Sequence, residues 1–169
     1  ALATGTTAVV ARLIGARDPR AAAHIVQQSL VMGGVTGTVL LLVMVLLAEQ
    51  AIAFYDPEPA VAALGGRYLR IASLTFTMQG LMMVGNAAMR GAGDTRTPLF
   101  IMLGVNALNI LVSSALLLGL GPLPALGVLG PAVGSALALA AGGVAALVIL
   151  LRGRAGLRVP VLWFSLLLA

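Results

Sequence analysis

The chain has 169 residues, of which 60% are hydrophobic and only 9% are charged, and its mean hydropathy is +1.09. A soluble domain carries about 25% charged residues, so this composition excludes a water-soluble globular protein. With no cysteine, one histidine and five acidic residues, the chain cannot form disulfides, zinc–cysteine sites or iron–sulfur clusters. The same counts leave little for a metal site or a catalytic triad.

Two long segments, residues 23–48 and 97–151, contain no charged side chain. The second is long enough to cross the ~30 Å hydrocarbon layer twice, because each helical crossing needs ~20 residues. Both segments are apolar on every face and lack the alternating polarity of outer-membrane barrel strands. The sequence therefore predicts an all-α, polytopic helical membrane protein.

Helical segments follow one another along the chain, separated by turn residues such as Asp-Pro at 18–19 and 56–57. The predicted helices cover residues 1–14, 23–48, 66–89, 98–120 and 126–151, of which the last four are predicted to be full crossings. Residues 152–169 are predicted to form a linker on the cytoplasmic side and the start of a further helix at 159–169. The first and last segments are short for a crossing, so we expect the chain to be a fragment of a longer protein.

All ten basic residues are arginines, and eight of them flank alternate connections between the predicted helices. These eight are Arg12, Arg17, Arg20, Arg90, Arg96, Arg152, Arg154 and Arg158. The positive-inside rule predicts that these connections are cytoplasmic. The net charge of +5 is therefore assigned to membrane flanks, and no nucleic-acid partner is predicted.

The predicted helix 98–120 carries Asn106, Asn109 and Ser113, which share one face because they lie three and four residues apart. At ~1.5 Å per residue, Asn109 lies near the middle of the membrane. Two interpretations remain open. A hydrogen bond between helices, worth roughly 0.6–2 kcal/mol, is favoured over a substrate or cation site.

Other polar side chains lie inside the predicted helices 66–89 and 126–151. Gln79 and Asn86, seven residues apart, share a stripe with Met82 and Met83. Methionine suits surfaces that bind several shapes, although plain packing is the favoured interpretation. Ser135 is an isolated hydroxyl that is predicted to bond to its own backbone one turn earlier.

Polar residues at the helix ends are assigned to structure. Asp94, Thr95 and Thr97 offer oxygens to the first amides of the helix that begins at Pro98. His24 lies at the cytoplasmic edge of the second helix, where a solvated histidine is favoured over a proton carrier.

The string MRGAGDTRTP at 89–98, between two hydrophobic helices, resembles the signature of the multidrug and toxic compound extrusion (MATE) transporters. Its surroundings are similar to the same family, with helix ends and connections matching over nearly the whole chain. The matching segments are VARLIGARDPRAA at 10–22, YLRI at 68–71, VNALNIL at 105–111 and GLGPLPALGVLGPAVGSAL at 119–137.

The resemblance implies a twelve-helix antiporter of two six-helix lobes in the bacterial cytoplasmic membrane. Such a protein exports small organic or xenobiotic compounds by alternating access, needs no cofactor, and is driven by H⁺ or Na⁺. The chain would supply helices two to six of the N-terminal lobe, so its partners would be the bilayer and the remaining helices of the transporter. An enzyme is not predicted, because no His/Asp/Glu or Ser/His pair lies at membrane depth.

The resemblance also implies site residues. Asn86 and Asn109 match asparagines of a polar cluster in the N-terminal lobe of the family. Ser113 stands where many members have aspartate or asparagine, and Ser135 stands where the sixth helix often has threonine. These four residues, together with Asn106 and Gln79, form the predicted substrate or cation pathway. Since none of them titrates and no predicted helix contains Asp or Glu, we expect the coupling carboxylate outside this chain.

Two alternatives remain. A lipid-linked saccharide flippase of the same superfamily should place cationic residues inside its cavity to hold a pyrophosphate. A non-catalytic structural or channel subunit would need Asn109 only as a packing contact.

Overall fold

The computed structural model describes residues 1–120 and 124–153, which form α-helices joined by short turns. In chain order the helices are α1 (Leu2–Gly15), α2 (Pro19–Ala53), α3 (Pro59–Ser73), α4 (Phe76–Gly91), α5 (Arg96–Leu118) and α6 (Leu129–Leu151). This architecture confirms the predicted all-α class. The predicted segment 159–169, Arg154 and Arg158 lie outside the described residues.

Side-chain caps and special backbone conformations set the ends of α2 and α5. Asp18 Oδ1 accepts a hydrogen bond from the Ala21 amide at 3.0 Å, so α2 begins before the predicted residue 23. Asp94 caps α5, accepting bonds from the Thr97 amide at 2.9 Å and the Thr97 hydroxyl at 2.6 Å. At the other end of α5, Gly119 has a φ of +69°, the left-handed conformation that stops helices at glycine.

The prediction of one continuous helix over 66–89 is wrong, because Leu74 and Thr75 separate α3 from α4. Their amides donate to carbonyls three residues back, at 3.2 and 3.1 Å, as in a tight 3₁₀ turn. The hydroxyls of Ser73 and Thr75 also donate to carbonyls three residues back, both at 2.8 Å. Hydroxyls that compete for backbone carbonyls bend helices, and this accounts for the interruption.

The interruption changes the number of uninterrupted crossings. By length and composition, α2, α5 and α6 are long enough to span a membrane, whereas α1 is a shorter apolar helix. The predicted crossing at 66–89 is divided between α3 and α4, which have 15 and 16 residues. With 35 residues, α2 is the longest helix in the described part of the chain.

Helix α4 lies at the centre of the bundle and packs against α1, α2 and α6. Its contact with α2 is a direct approach of two backbones. A Cβ atom placed on Gly37 would lie 2.5 Å from the Phe76 carbonyl oxygen and 2.7 Å from the Thr77 Cα. Only glycine permits this approach, which is the small-residue packing typical of membrane helices.

The packing brings the arginine-bearing helix ends together. Helices α1, α4 and α6 run parallel to one another, while α2 runs antiparallel to α4 and α5 antiparallel to α6. The end of the bundle that this defines, here called the arginine end, carries Arg12, Arg17, Arg20, Arg90, Arg96 and Arg152. At the opposite end, Arg70 forms an exposed 2.8 Å ion pair with Glu49. The described arginines that were predicted to flank alternate connections thus lie at one end of the bundle.

Candidate functional site

Asn109 joins α5 to α6 through its side chain. Its Nδ2 donates to Ser135 Oγ at 2.9 Å, and its Oδ1 accepts from Ser113 Oγ at 3.4 Å. All three residues are half-buried. Ser135 was expected to bond to its own backbone, but it accepts the amide of the neighbouring helix instead. The three side chains form one polar row across the two helices.

Glycines on α6 make this row possible. A Cβ placed on Gly134 would lie 2.8 Å from the Cα and from the amide nitrogen of Ser113, and one on Gly130 would lie 2.7 Å from the Leu117 nitrogen. The backbones of α5 and α6 are therefore in direct contact beside the row. This close approach lets a short side chain such as Ser135 reach the amide of Asn109.

Asn106 is not part of the row, although the helical spacing places it near the same face. Its side chain is exposed, and its Nδ2 donates to the Met102 carbonyl oxygen of its own helix at 2.9 Å. The predicted set on α5 therefore divides. Asn109 and Ser113 interact with each other, and Asn106 interacts with its own backbone.

Asn86 on α4 is the most buried of the predicted site residues, with 4% of its surface exposed. Its Oδ1 has no hydrogen-bond partner among the described residues. A buried amide oxygen almost always accepts at least one hydrogen bond, and leaving one unsatisfied costs about 1–3 kcal/mol. Among residues 1–120 and 124–153, the Asn86 oxygen is thus a buried acceptor without a donor.

The neighbourhood of Asn86 includes a contact that the sequence did not indicate. The Thr7 hydroxyl of α1 lies 3.1 Å from the carbonyl oxygen of Ala87, the residue next to Asn86, and 3.1 Å from the Ala3 carbonyl of its own helix. A threonine in an apolar helix often bonds only to its own backbone. No spacing rule within α1 points to α4, so only the packing reveals this contact.

The rest of the predicted α4 stripe is not uniform. Gln79 is exposed and lines a shallow groove beside α1 and α2, away from Asn86 by about two turns. Met82 is buried against Gly142 of α6, whereas Met83 is 53% exposed. The structure therefore does not bring Gln79 and Asn86 into one contact, and Met82 serves packing.

Acidic side chains lie away from these amides in the described part of the chain. Asp18, Asp56, Asp94 and Glu58 are outside the helices, and Glu49 lies near the end of α2, in its exposed pair with Arg70. Within residues 1–120 and 124–153, no group of three or more His, Cys, Asp or Glu side chains could hold a metal ion. The site built by these residues is thus a neutral set of amides and hydroxyls.

Similarity to known proteins extends over most of the chain. The family model described as MatE matches residues 1–114. The chain is 31% identical to the probable multidrug resistance protein NorM of Thermotoga maritima, over 98% of this chain and 36% of that protein. It is 26% identical to the uncharacterized transporter YisQ of Bacillus subtilis, over 88% of this chain and 32% of that protein.

Solved structures match the same fold. The inward-facing conformation of a multidrug resistance MATE family transporter of the MOP superfamily superimposes with a TM-score of 0.80 at 25% identity, covering 88% of this chain and 33% of that one. A crystal structure of a MATE mutant gives a TM-score of 0.79 at 25% identity, covering 90% and 33%.

The chain spans about a third of the length of the curated relatives it matches. The family model nevertheless covers more than half of the chain, and the Thermotoga protein aligns over nearly all of it. These matches confirm the resemblance carried by the motif at 89–98, and the chain belongs to the MatE family.

Proposed function

We propose that the complete protein is an antiporter that exports small organic compounds across the bacterial cytoplasmic membrane by alternating access, driven by H⁺ or Na⁺. Membership of the MatE family supports export. The observation that carries the proposal is the buried side chain of Asn86, whose Oδ1 has no partner among the described residues.

An unpaired amide oxygen at this depth indicates a partner that the described helices do not provide. Polar groups inside membrane helices are expensive and face protein, a wet cavity or a ligand pathway. Asn86 lies on the central helix α4, one residue from the α1–α4 hydrogen bond made by Thr7. A donor on another helix of the complete protein, a bound cation or a substrate would satisfy it.

The Asn109 row has a supporting part in this proposal. Its amide nitrogen is engaged by Ser135 at 2.9 Å, while the contact of its Oδ1 with Ser113 is long at 3.4 Å. The oxygen therefore keeps accepting capacity. Because Asn and Ser do not titrate, these residues bind and orient, and coupling requires a carboxylate elsewhere in the complete protein.

The alternatives have less support. A flippase for a lipid-linked pyrophosphate needs cationic side chains within its cavity. The described arginines are all exposed, and all but Arg67 of α3 lie at or near helix ends. A purely structural role would account for the hydrogen-bonded Asn109. It would not explain why the Asn86 oxygen is buried without a partner among the described residues.

The proposal is tested with the full-length protein in proteoliposomes, by gradient-driven efflux of a fluorescent organic cation. Asn86→Leu is expected to lower the efflux rate about tenfold, since losing one buried hydrogen bond worth about 1.4 kcal/mol corresponds to that factor. The matched control is Asn106→Leu, because Asn106 is exposed and bonds only to its own helix. It should change the rate by less than about twofold, within the usual effect of surface substitutions.

Separate pH and sodium gradients identify the driving ion. Efflux that requires neither a pH gradient nor a sodium gradient would contradict the proposal of an antiporter. If Asn86→Leu and the unmodified protein insert equally and have equal efflux rates, Asn86 is not part of the transport pathway.

A further inference from the structure

The contact between α5 and α6 is closed at one end and open at the other. Beside Gly134 the two backbones touch, since a Cβ there would lie 2.8 Å from the Ser113 Cα. Towards the arginine end, a Cβ on Gly142 would meet side chains only, those of Val105 and Met82, and one on Gly104 would meet no neighbouring atom within 4 Å. The helices therefore diverge from each other towards the arginine end.

This divergence leaves a groove of about 410 Å³ between the two helices. All of its lining residues except Thr97 are apolar, and they include Phe100, Gly104, Leu108, Ala141, Ala145 and Ile149. The α5 side of the groove extends from Thr97 to Leu108, which is ~16 Å at ~1.5 Å per residue. That length is about half of the ~30 Å hydrocarbon layer, so the groove matches the depth of one leaflet.

On α5 the groove lies on the side opposite to the amide of Asn106. Gly104 lies two residues before Asn106, and two residues correspond to a rotation of ~200° around a helix. Phe100 and Gly104 thus lie on the side of α5 opposite to Asn106. Phe100 is 69% exposed, as expected for a surface in contact with the bilayer.

Two arginines extend the lining of the groove beyond its open end. Arg96 lies one turn before Phe100 on α5, and Arg152 lies one turn after Ile149 on α6. Both side chains are exposed, and neither belongs to an ion pair, since the one ion pair within the described ranges joins Arg70 to Glu49 at the far end.

The nearest carboxylate in sequence is that of Asp94, two residues before Arg96, and both of its oxygens accept bonds from Thr97. Arg96 and Arg152 thus lie one turn beyond the lining at the open end of the groove, where we expect the lipid headgroups.

We propose that this groove binds an anionic phospholipid of the leaflet at the arginine end, with one acyl chain between α5 and α6 and its phosphate between Arg96 and Arg152. The apolar lining matches the chain, the length matches one leaflet, and the guanidinium groups match a phosphate, which arginine binds with paired hydrogen bonds. Basic pockets between membrane helices bind anionic headgroups in this way. The lining of the groove does not include Asn86, Asn109, Ser113 or Ser135, the residues of the proposed transport pathway.

The test uses the full-length protein, purified in detergent with phosphatidylglycerol or phosphatidylcholine, and counts retained lipids by native mass spectrometry. The Arg96→Gln and Arg152→Gln double variant is expected to lose the preference for phosphatidylglycerol. The expected loss is about fivefold per arginine, the equivalent of about 1 kcal/mol for each basic residue near the surface. Arg12→Gln, which alters an exposed arginine on α1 at the same end, should leave the preference unchanged.

A second variant fills the groove. Gly104→Leu should fold, because its position is open to 4 Å, and it should lower the retention of both lipids. Gly5→Leu on α1 is the matched control, since a Cβ there also meets nothing within 4 Å. Unchanged retention in Gly104→Leu, or an unchanged lipid preference in the double variant, would overturn the proposal.

A photo-crosslinking residue at position 104 identifies the occupant directly. An adduct with phospholipid supports the proposal. An adduct with a peptide of the same protein would show that another helix covers the groove and would overturn it.

Discussion

The two central asparagines of the chain occupy different kinds of surroundings. Asn109, where α5 meets α6, is half-buried and bonds to Ser135, whereas Asn86 on α4 is 4% exposed and its oxygen has no partner in the described part of the chain. Both are amides on helices of one bundle. Because buried amides are almost always hydrogen-bonded, the unsatisfied oxygen of Asn86 is the exception of the two, and we propose Asn86 as the stronger indicator of a functional partner.

The largest expected effect is a loss of stability from a substitution at Gly134, the glycine of α6 that lies against α5 beside Asn109. Gly134→Ala places a Cβ 2.8 Å from backbone atoms of Ser113, so the helices must separate, at a cost of about 1–3 kcal/mol for overpacking. Thermal unfolding of the full-length protein in detergent measures the loss. The matched control is Gly104→Ala, which meets no neighbouring atom. Equal melting temperatures for the two variants would show that the close approach does not stabilise the bundle.

A double-mutant cycle examines the hydrogen bond itself. Asn109→Leu and Ser135→Ala should be coupled by roughly 0.6–1.7 kcal/mol, the range measured for hydrogen bonds between membrane helices. The same cycle with Asn86→Leu in place of Asn109→Leu should give a coupling within about 0.5 kcal/mol of zero, because no contact joins Asn86 to Ser135. Unfolding free energies in mixed micelles provide the values. A comparable coupling in both cycles would remove the distinction between the two asparagines.

The smallest effect is expected at the beginning of α5, beside the open end of the groove. Asp94→Ala removes the cap that accepts two hydrogen bonds from Thr97 and should cost about 1 kcal/mol. Thr95→Ala is the control, since Thr95 makes no side-chain capping bond and its loss should cost less than about 0.5 kcal/mol. Hydrogen exchange at the first turn of α5 measures the difference. Equal exchange in both variants would assign the stability of this end to packing alone.

Hydropathy and charge were sufficient to predict most helices and their grouping at the arginine end. The predicted helices 98–120 and 126–151 differ from α5 and α6 by at most three residues at either end. Hydropathy and charge depend on local composition, and a membrane helix is apolar along its whole length, so its position can be predicted from the sequence. The interruption at Leu74 and Thr75 could not be predicted in this way, because apolar residues continue on both sides of it.

The candidate site was harder to predict because it depends on contacts between helices. Spacing alone placed Asn106, Asn109 and Ser113 on one face, but it could not show that Gly134 brings Ser135 to Asn109 while Asn106 bonds to its own helix. The burial of Asn86 likewise follows from the packing of α4 against three neighbours.

The length of α2 has a consequence for the depth of the bundle in the bilayer. Its 35 residues extend over ~52 Å at ~1.5 Å per residue, more than the ~40–45 Å of a complete bilayer. Even at the average tilt of ~20° it would reach through both headgroup layers. Phe54 and Tyr55, 85% and 79% exposed at its C-terminal end, then lie at the interface where aromatic side chains anchor membrane proteins. We therefore expect this aromatic pair, at the end of α2 opposite the arginines, to help set the vertical position of the protein in the bilayer.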